Sequence, residues 1–171
     1  MVNIHRWNKC LVQNGVSVVT DQDFQTKTML DTTLFDKPGV SLYVAQSKIH
    51  GHGCFSASRI SPGAIIGEFV GERIDLKEAL RRNDKCSDLY SDYILEVEDD
   101  LFIDGAKWNN PIRFINHGCE PNCEVIVVKR RAFFKAITTI SAGDEVTLDY
   151  CFDADVREPC ACGARSCKGF I

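Results

Sequence analysis

Three cysteines near the end of this 171-residue chain are spaced for metal capture. Cys160, Cys162 and Cys167 read C-x-C-x4-C, and a fourth, Cys119, lies mid-chain inside Arg113-Phe114-Ile115-Asn116-His117-Gly118-Cys119-Glu120-Pro121-Asn122. Four thiolates complete the tetrahedral shell that a structural zinc prefers, and closing three of them within one short segment needs a tight turn, which Gly163 and Ala164 supply. The expectation is a zinc clasp that ties the tail back onto the middle of the chain. A disulfide framework is the rival reading. The odd total of nine cysteines, with no N-terminal apolar signal segment, argues against it and for a reducing, intracellular setting. Cys10, Cys54, Cys86, Cys123 and Cys151 are widely separated, most among apolar neighbours, and read as buried free thiols. Cys123 follows Cys119 closely but is left out of the clasp, whose shell is already full.

These residues need elements to position them. Residues 1–39 contain Val16-Ser17-Val18-Val19-Thr20 and end in the turn signal Asp36-Lys37-Pro38-Gly39, which marks a lead-in segment. From Val40 short β segments follow at Val40 to Ala45, Ala64 to Val70, Tyr93 to Val97, Leu101 to Asp104, Cys123 to Val128, Ala132 to Ala136 and Glu145 to Tyr150. A single helix is expected over Asp75 to Asn83, with Asp75 as N-cap and Glu78 three positions on. The fold class is mainly β.

Composition bounds the rest. With 44% hydrophobic and 26% charged residues the chain has the makings of one ordinary globular domain. No run approaches the roughly 18 apolar residues of a membrane span, so no membrane partner is expected. A net charge of -4 disfavours direct nucleic-acid binding and suits a basic partner such as a lysine-rich tail.

Five motifs then stand in order: His50-Gly51-His52-Gly53, Gly67-Glu68-Phe69-Val70-Gly71-Glu72, the Arg113-to-Asn122 block, Gly143-Asp144-Glu145-Val146-Thr147-Leu148-Asp149-Tyr150, and the cysteine tail. This series resembles that of SET-domain protein lysine methyltransferases with a post-SET zinc motif. The resemblance covers about residues 40 to 171 and divides the chain into a lead-in (1–39), a SET domain (40–152) and a post-SET zinc-binding tail (153–171). It implies several small β-sheets with a C-terminal pseudoknot, an exception to the rule that connections do not thread loops.

The resemblance also implies roles. His50, Gly51, His52 and Gly53 lie along S-adenosylmethionine, although a glycine pair on its own more often makes a turn. Asn116 meets the methionine end of the cofactor and the backbone of His117 its adenine, although an Asn-His pair can equally be structural. The family usually has serine where this chain has Gly118, a change that would loosen the turn. Phe170 covers the cofactor. Tyr150 and Tyr93 are the catalytic residues, Tyr93 also lying near the cofactor, with Leu95 and Leu148 lining the lysine channel. The bland alternative makes both tyrosines core aromatics. Leu148 carries no hydroxyl to hold a restricting water, which favours di- or trimethylation. Cys119, Cys160, Cys162 and Cys167 hold the structural zinc.

A free lysine has a pKa of about 10.4, so methyl transfer needs a site that neutralises the amine and points it at the donor. The activity expected from the resemblance is S-adenosylmethionine-dependent lysine methylation of a protein, by analogy a histone tail, which would place the protein at chromatin in the nucleus. A non-histone substrate, or a catalytically silent SET-fold binding protein, are the alternatives.

Overall fold

The computed structural model describes residues 40–84, 93–107, 109–150 and 159–171. Expectations for residues 1–39, Cys86 and Cys151 lie outside the described residues.

Among the described residues, ten strands form four small sheets. β1 (Leu42–Gln46) and β2 (His52–Ser56) make an antiparallel pair. β3 (Ile65–Phe69), β8 (Cys123–Val128) and β9 (Arg131–Ala136) form a sheet with β9 in the centre. Its β8–β9 hairpin turns on Lys129 and Arg130, both at positive φ (50° and 61°), the twist that a two-residue hairpin loop demands. β4 (Glu72–Ile74), β5 (Ile94–Glu98) and β6 (Leu101–Asp104) form a second three-stranded sheet, with β6 central. The last sheet pairs β7 (Asn116–His117) with β10 (Thr147–Leu148) in parallel. That pairing brings a late segment of the chain alongside the Asn116 block, as a pseudoknot requires.

The helix, α1 (Leu76–Asp84), starts as its cap predicts: Asp75 Oδ1 accepts from the Glu78 amide at 2.8 Å. Glu78 does not reciprocate; its carboxylate takes Arg81 at 2.5 Å and Arg82 at 2.8 Å. Arg82 also reaches Glu72 at 2.8 Å and Asp104 at 2.5 Å, pinning the helix to β4 and β6. Beneath it Ile74, Ala79, Ile94 and Phe102 form a small cluster.

β5 is buried along Ile94–Val97 because it has a core on each face. Ile94 packs under α1, while Leu95 and Val97 point the other way, into the main core with Ile66, Ile115, Val125, Phe134 and Leu148. Sequence reading found β1, β3, β5, β6, β8 and β9. It missed β2, β4 and β7, and Glu145–Tyr150 is shorter than expected: Thr147–Leu148 pairs, while Glu145 makes a single bridge to Phe55. Among the described residues no helix is long and apolar enough to cross a membrane.

Candidate active site

Pairing β7 with β10 sets Asn116 opposite Thr147 and His117 opposite Leu148. Gly118 donates to Leu148 O at 2.9 Å, and a Cβ on Gly118 would meet the Thr147 side chain at 2.9 Å. Glycine here permits close packing rather than loosening the turn, which corrects the expectation above.

The short helix Pro111–Phe114 precedes this pair, capped by Asn110, whose Oδ1 accepts from the Ile112 amide. It delivers the chain to Ile115, whose carbonyl accepts the Tyr150 hydroxyl at 2.6 Å. The Tyr150 ring meets His117 edge-on at 5.6 Å, and its backbone amide donates to His117 Nδ1 at 3.1 Å. Burial lowers the pKa of His117, against the pull of Asp149. The neutral ring therefore accepts at Nδ1 and carries its proton on Nε2, which lies 3.3 Å from Cys119 Sγ.

Tyr93, Leu95, Leu148 and Tyr150 line one small cavity of about 20 Å³, the room of a single water. All four were expected at the site. Its other walls, which sequence reading did not single out, include Phe69, Ile112, Ile115 and Phe134. Arg113 also lines it, its guanidinium 5.0 Å from the Tyr93 ring and 4.5 Å from that of Phe114. Arg113 donates to the carbonyls of Gly105 and Ala106, and its buried Nε has no partner among the described residues.

Next to the cavity, Asn116 is 8% exposed and donates through Nδ2 to His50 O (3.2 Å), His52 O (3.1 Å) and Glu145 Oε1 (2.8 Å). Its Oδ1 has no partner among the described residues. The His50-to-Gly53 loop is thus tied to Asn116 through its carbonyls, and both imidazoles are on exposed residues. Gly51, at φ +44°, needs the conformational freedom of glycine. Glu145 and its partner Ser47 were missed. Glu145 stood inside a quoted motif, but Ser47 lies 98 residues away and no local signal joins the two. Phe170 is 48% exposed, bridged through its backbone to Pro159, and is not a wall of the cavity.

Cys119, Cys160, Cys162 and Cys167 converge, with their sulfurs within 4.8 Å of one another. Cys119 Sγ is 3.8 Å from Cys160 Sγ and 3.9 Å from Cys167 Sγ. Four sulfurs about 2.3 Å from a tetrahedral metal would stand about 3.8 Å apart, so the residues fit a metal ion. The amides of Lys168 and Gly169 point at Cys119 and Cys167 at 3.4 Å each, the kind of donor that supports a thiolate. Burial pushes the Cys160 thiol up to about 12, so this residue becomes a thiolate only beside a cation. Cys123 stays apart, buried, with Sγ on Thr147 O at 3.2 Å; Cys54 is a buried free thiol too. His50 and His52 take no part in the cluster.

The family model of the SET domain matches residues 51–151. The chain belongs to the SET domain family. Among curated relatives, this SET domain is 35% identical over 153 residues to the H3 lysine-4 specific histone-lysine N-methyltransferase of Saccharomyces cerevisiae, covering 84% of this chain and 14% of that protein. It is 38% identical over 137 residues to the protein of the same name from Eremothecium gossypii, covering 74% and 14%. The SET domain therefore spans only about a seventh of the length of these relatives. Among solved structures, a chain of the Chaetomium thermophilum polycomb repressive complex 2 matches with a TM-score of 0.60 and 28% identity, over 66% of this chain and 15% of that one.

Proposed function

We propose that this SET domain is an S-adenosylmethionine-dependent protein lysine N-methyltransferase acting on a histone tail. The observation that carries the proposal is the convergence of Tyr93, Leu95, Leu148 and Tyr150 on one narrow cavity beside Asn116. S-adenosylmethionine would supply an electrophilic methyl group on a sulfonium. The protein's own residues do the rest. Apolar walls from Phe69, Leu95, Ile112 and Leu148 disfavour a charged ammonium and so favour the neutral amine that can attack. Because the Tyr150 hydroxyl proton is given to Ile115 O, its oxygen meets the amine or polarised C–H groups only as an acceptor. Tyr93, stacked under Arg113, confines the approach so that the amine arrives in line.

Asn116 and the His50-to-Gly53 loop hold the methionine end of the cofactor, and the His117 backbone its adenine. Zinc is the metal best suited to the four-cysteine cluster, where it closes the 153–171 tail over the 40–152 domain, with Phe170 reaching the cofactor from that tail. The names of the curated relatives and the chain's acidic charge both favour a histone substrate, and with it a nuclear, chromatin-bound location.

Incubation with labelled S-adenosylmethionine and single core histones, nucleosomes, and an H3 tail with lysine 4 replaced by arginine tests this reading. Label on native H3 that is lost with the replacement is the expected result. Label on none of the histones, from protein that binds the cofactor, would overturn the histone assignment.

A further inference from the structure

Glu145 holds a position that the proposed reaction has not yet used. Its two carboxylate oxygens receive the Ser47 hydroxyl at 2.8 and 2.9 Å, and Oε1 also receives Asn116 Nδ2 at 2.8 Å. The backbone of Glu145 is fixed independently: Asn122 Nδ2 donates to its carbonyl at 2.8 Å, and the residue bridges to Phe55. The side chain is therefore free to serve another purpose. It reaches Asn116 through a gap that exists only because residue 53 is glycine, since a Cβ on Gly53 would overlap Glu145 Oε1. Gly53 has no positive φ to explain it, unlike Gly51.

Among the described residues no cation pairs with this carboxylate. The edge of Asn116 that faces Glu145 Oε1 is the NH₂ edge. The carbonyls of His50 and His52 impose the same choice. The Asn116 amide is left with Oδ1 as its only unused group, an acceptor suited to an ammonium and wrong for a carboxylate.

We propose that Glu145 is a positioning residue: held by Ser47 and admitted by Gly53, it joins the carbonyls of His50 and His52 in locking the Asn116 amide so that Oδ1 recognises the α-ammonium of the cofactor. This rests on the reading of the site as one for S-adenosylmethionine. A glutamine at 145 would keep the size but not the purely accepting edge, leaving the two loop carbonyls alone to hold the amide, and the lock would be weakened.

The test compares binding of S-adenosylhomocysteine and of its analogue lacking the α-amine, by calorimetry, in native protein, Glu145→Gln and Ser47→Ala, with thermal melts alongside. Native protein should prefer the amine-bearing compound. Glu145→Gln should lose a clear part of that preference, its affinity for S-adenosylhomocysteine falling about fivefold while binding of the analogue and the melting temperature hold. Ser47→Ala should lose a smaller part in the same sense, and decides the matter alone if Glu145→Gln folds poorly. An unchanged preference in the folded variants overturns the role of Glu145 and leaves the cofactor reading standing. Failure of native protein to bind either compound overturns both.

Discussion

Tyr150 is held from both sides, its hydroxyl given to Ile115 O and its ring set against His117, so its place at the cavity does not depend on a substrate. Leu148, two residues earlier, is 7% exposed and lines the same cavity. Leu148→Tyr should add a hydroxyl and bulk there and shift the product from di- or trimethyl-lysine towards monomethyl-lysine, as read by mass spectrometry. An unchanged distribution would show that the channel is set by other walls. Glu96 raises a different residue-scale question. It lies across from Phe102 and is 3% exposed, and burial, with Asp99 adding, pushes its carboxyl up to about 7 from the usual 4.5. The folded protein then keeps a proton that the unfolded chain releases. Its contribution to stability is full below about 4.5 and is lost as the pH climbs through about 7. Glu96→Gln should melt higher than native protein at about pH 8, with the gap closing as the pH falls towards 4.5. A gap that does not vary with pH would assign the effect to packing instead.

At the scale of elements, the strands legible in the sequence were those whose own residues carry the signal. Cys123–Val128 and Arg131–Ala136 are apolar runs around a two-residue turn. His52–Ser56 contains glycine, serine and histidine and becomes a strand only by pairing with β1; Asn116–His117 exists only because Thr147–Leu148 returns beside it. Such elements are made by tertiary contact, which local propensity does not report. The candidate site divides in the same way: Tyr93, Leu95, Leu148 and Tyr150, named from the family resemblance, line one cavity, whereas the Ser47–Glu145 pair required the fold. None of residues 159–171 is fully buried, and this segment is held by Cys119, by Ser166 on Glu120 at 2.7 Å and by Lys168 on Asp149 at 3.2 Å. Removing the metal with a chelator should lower the melting temperature and weaken cofactor binding together, with both restored by added zinc. Cofactor affinity that survives metal loss would show that the tail is not part of that site.

At the scale of the molecule, two sheets with a shared core present the β7–β10 pair, the cavity and the four-cysteine cluster next to one another, with His117 touching both Tyr150 and Cys119. The chain covers about a seventh of the length of the S. cerevisiae and E. gossypii relatives. Whether this unit transfers methyl groups is the central claim, and the most direct measurement is transfer from labelled S-adenosylmethionine to histone H3 by native protein and by Tyr150→Phe, with products identified by mass spectrometry. The account predicts methyl-lysine from native protein and at least a hundredfold slower transfer, on the order of 3 kcal/mol of lost transition-state stabilisation, from a variant that still binds cofactor. Equal rates from the two proteins would contradict it.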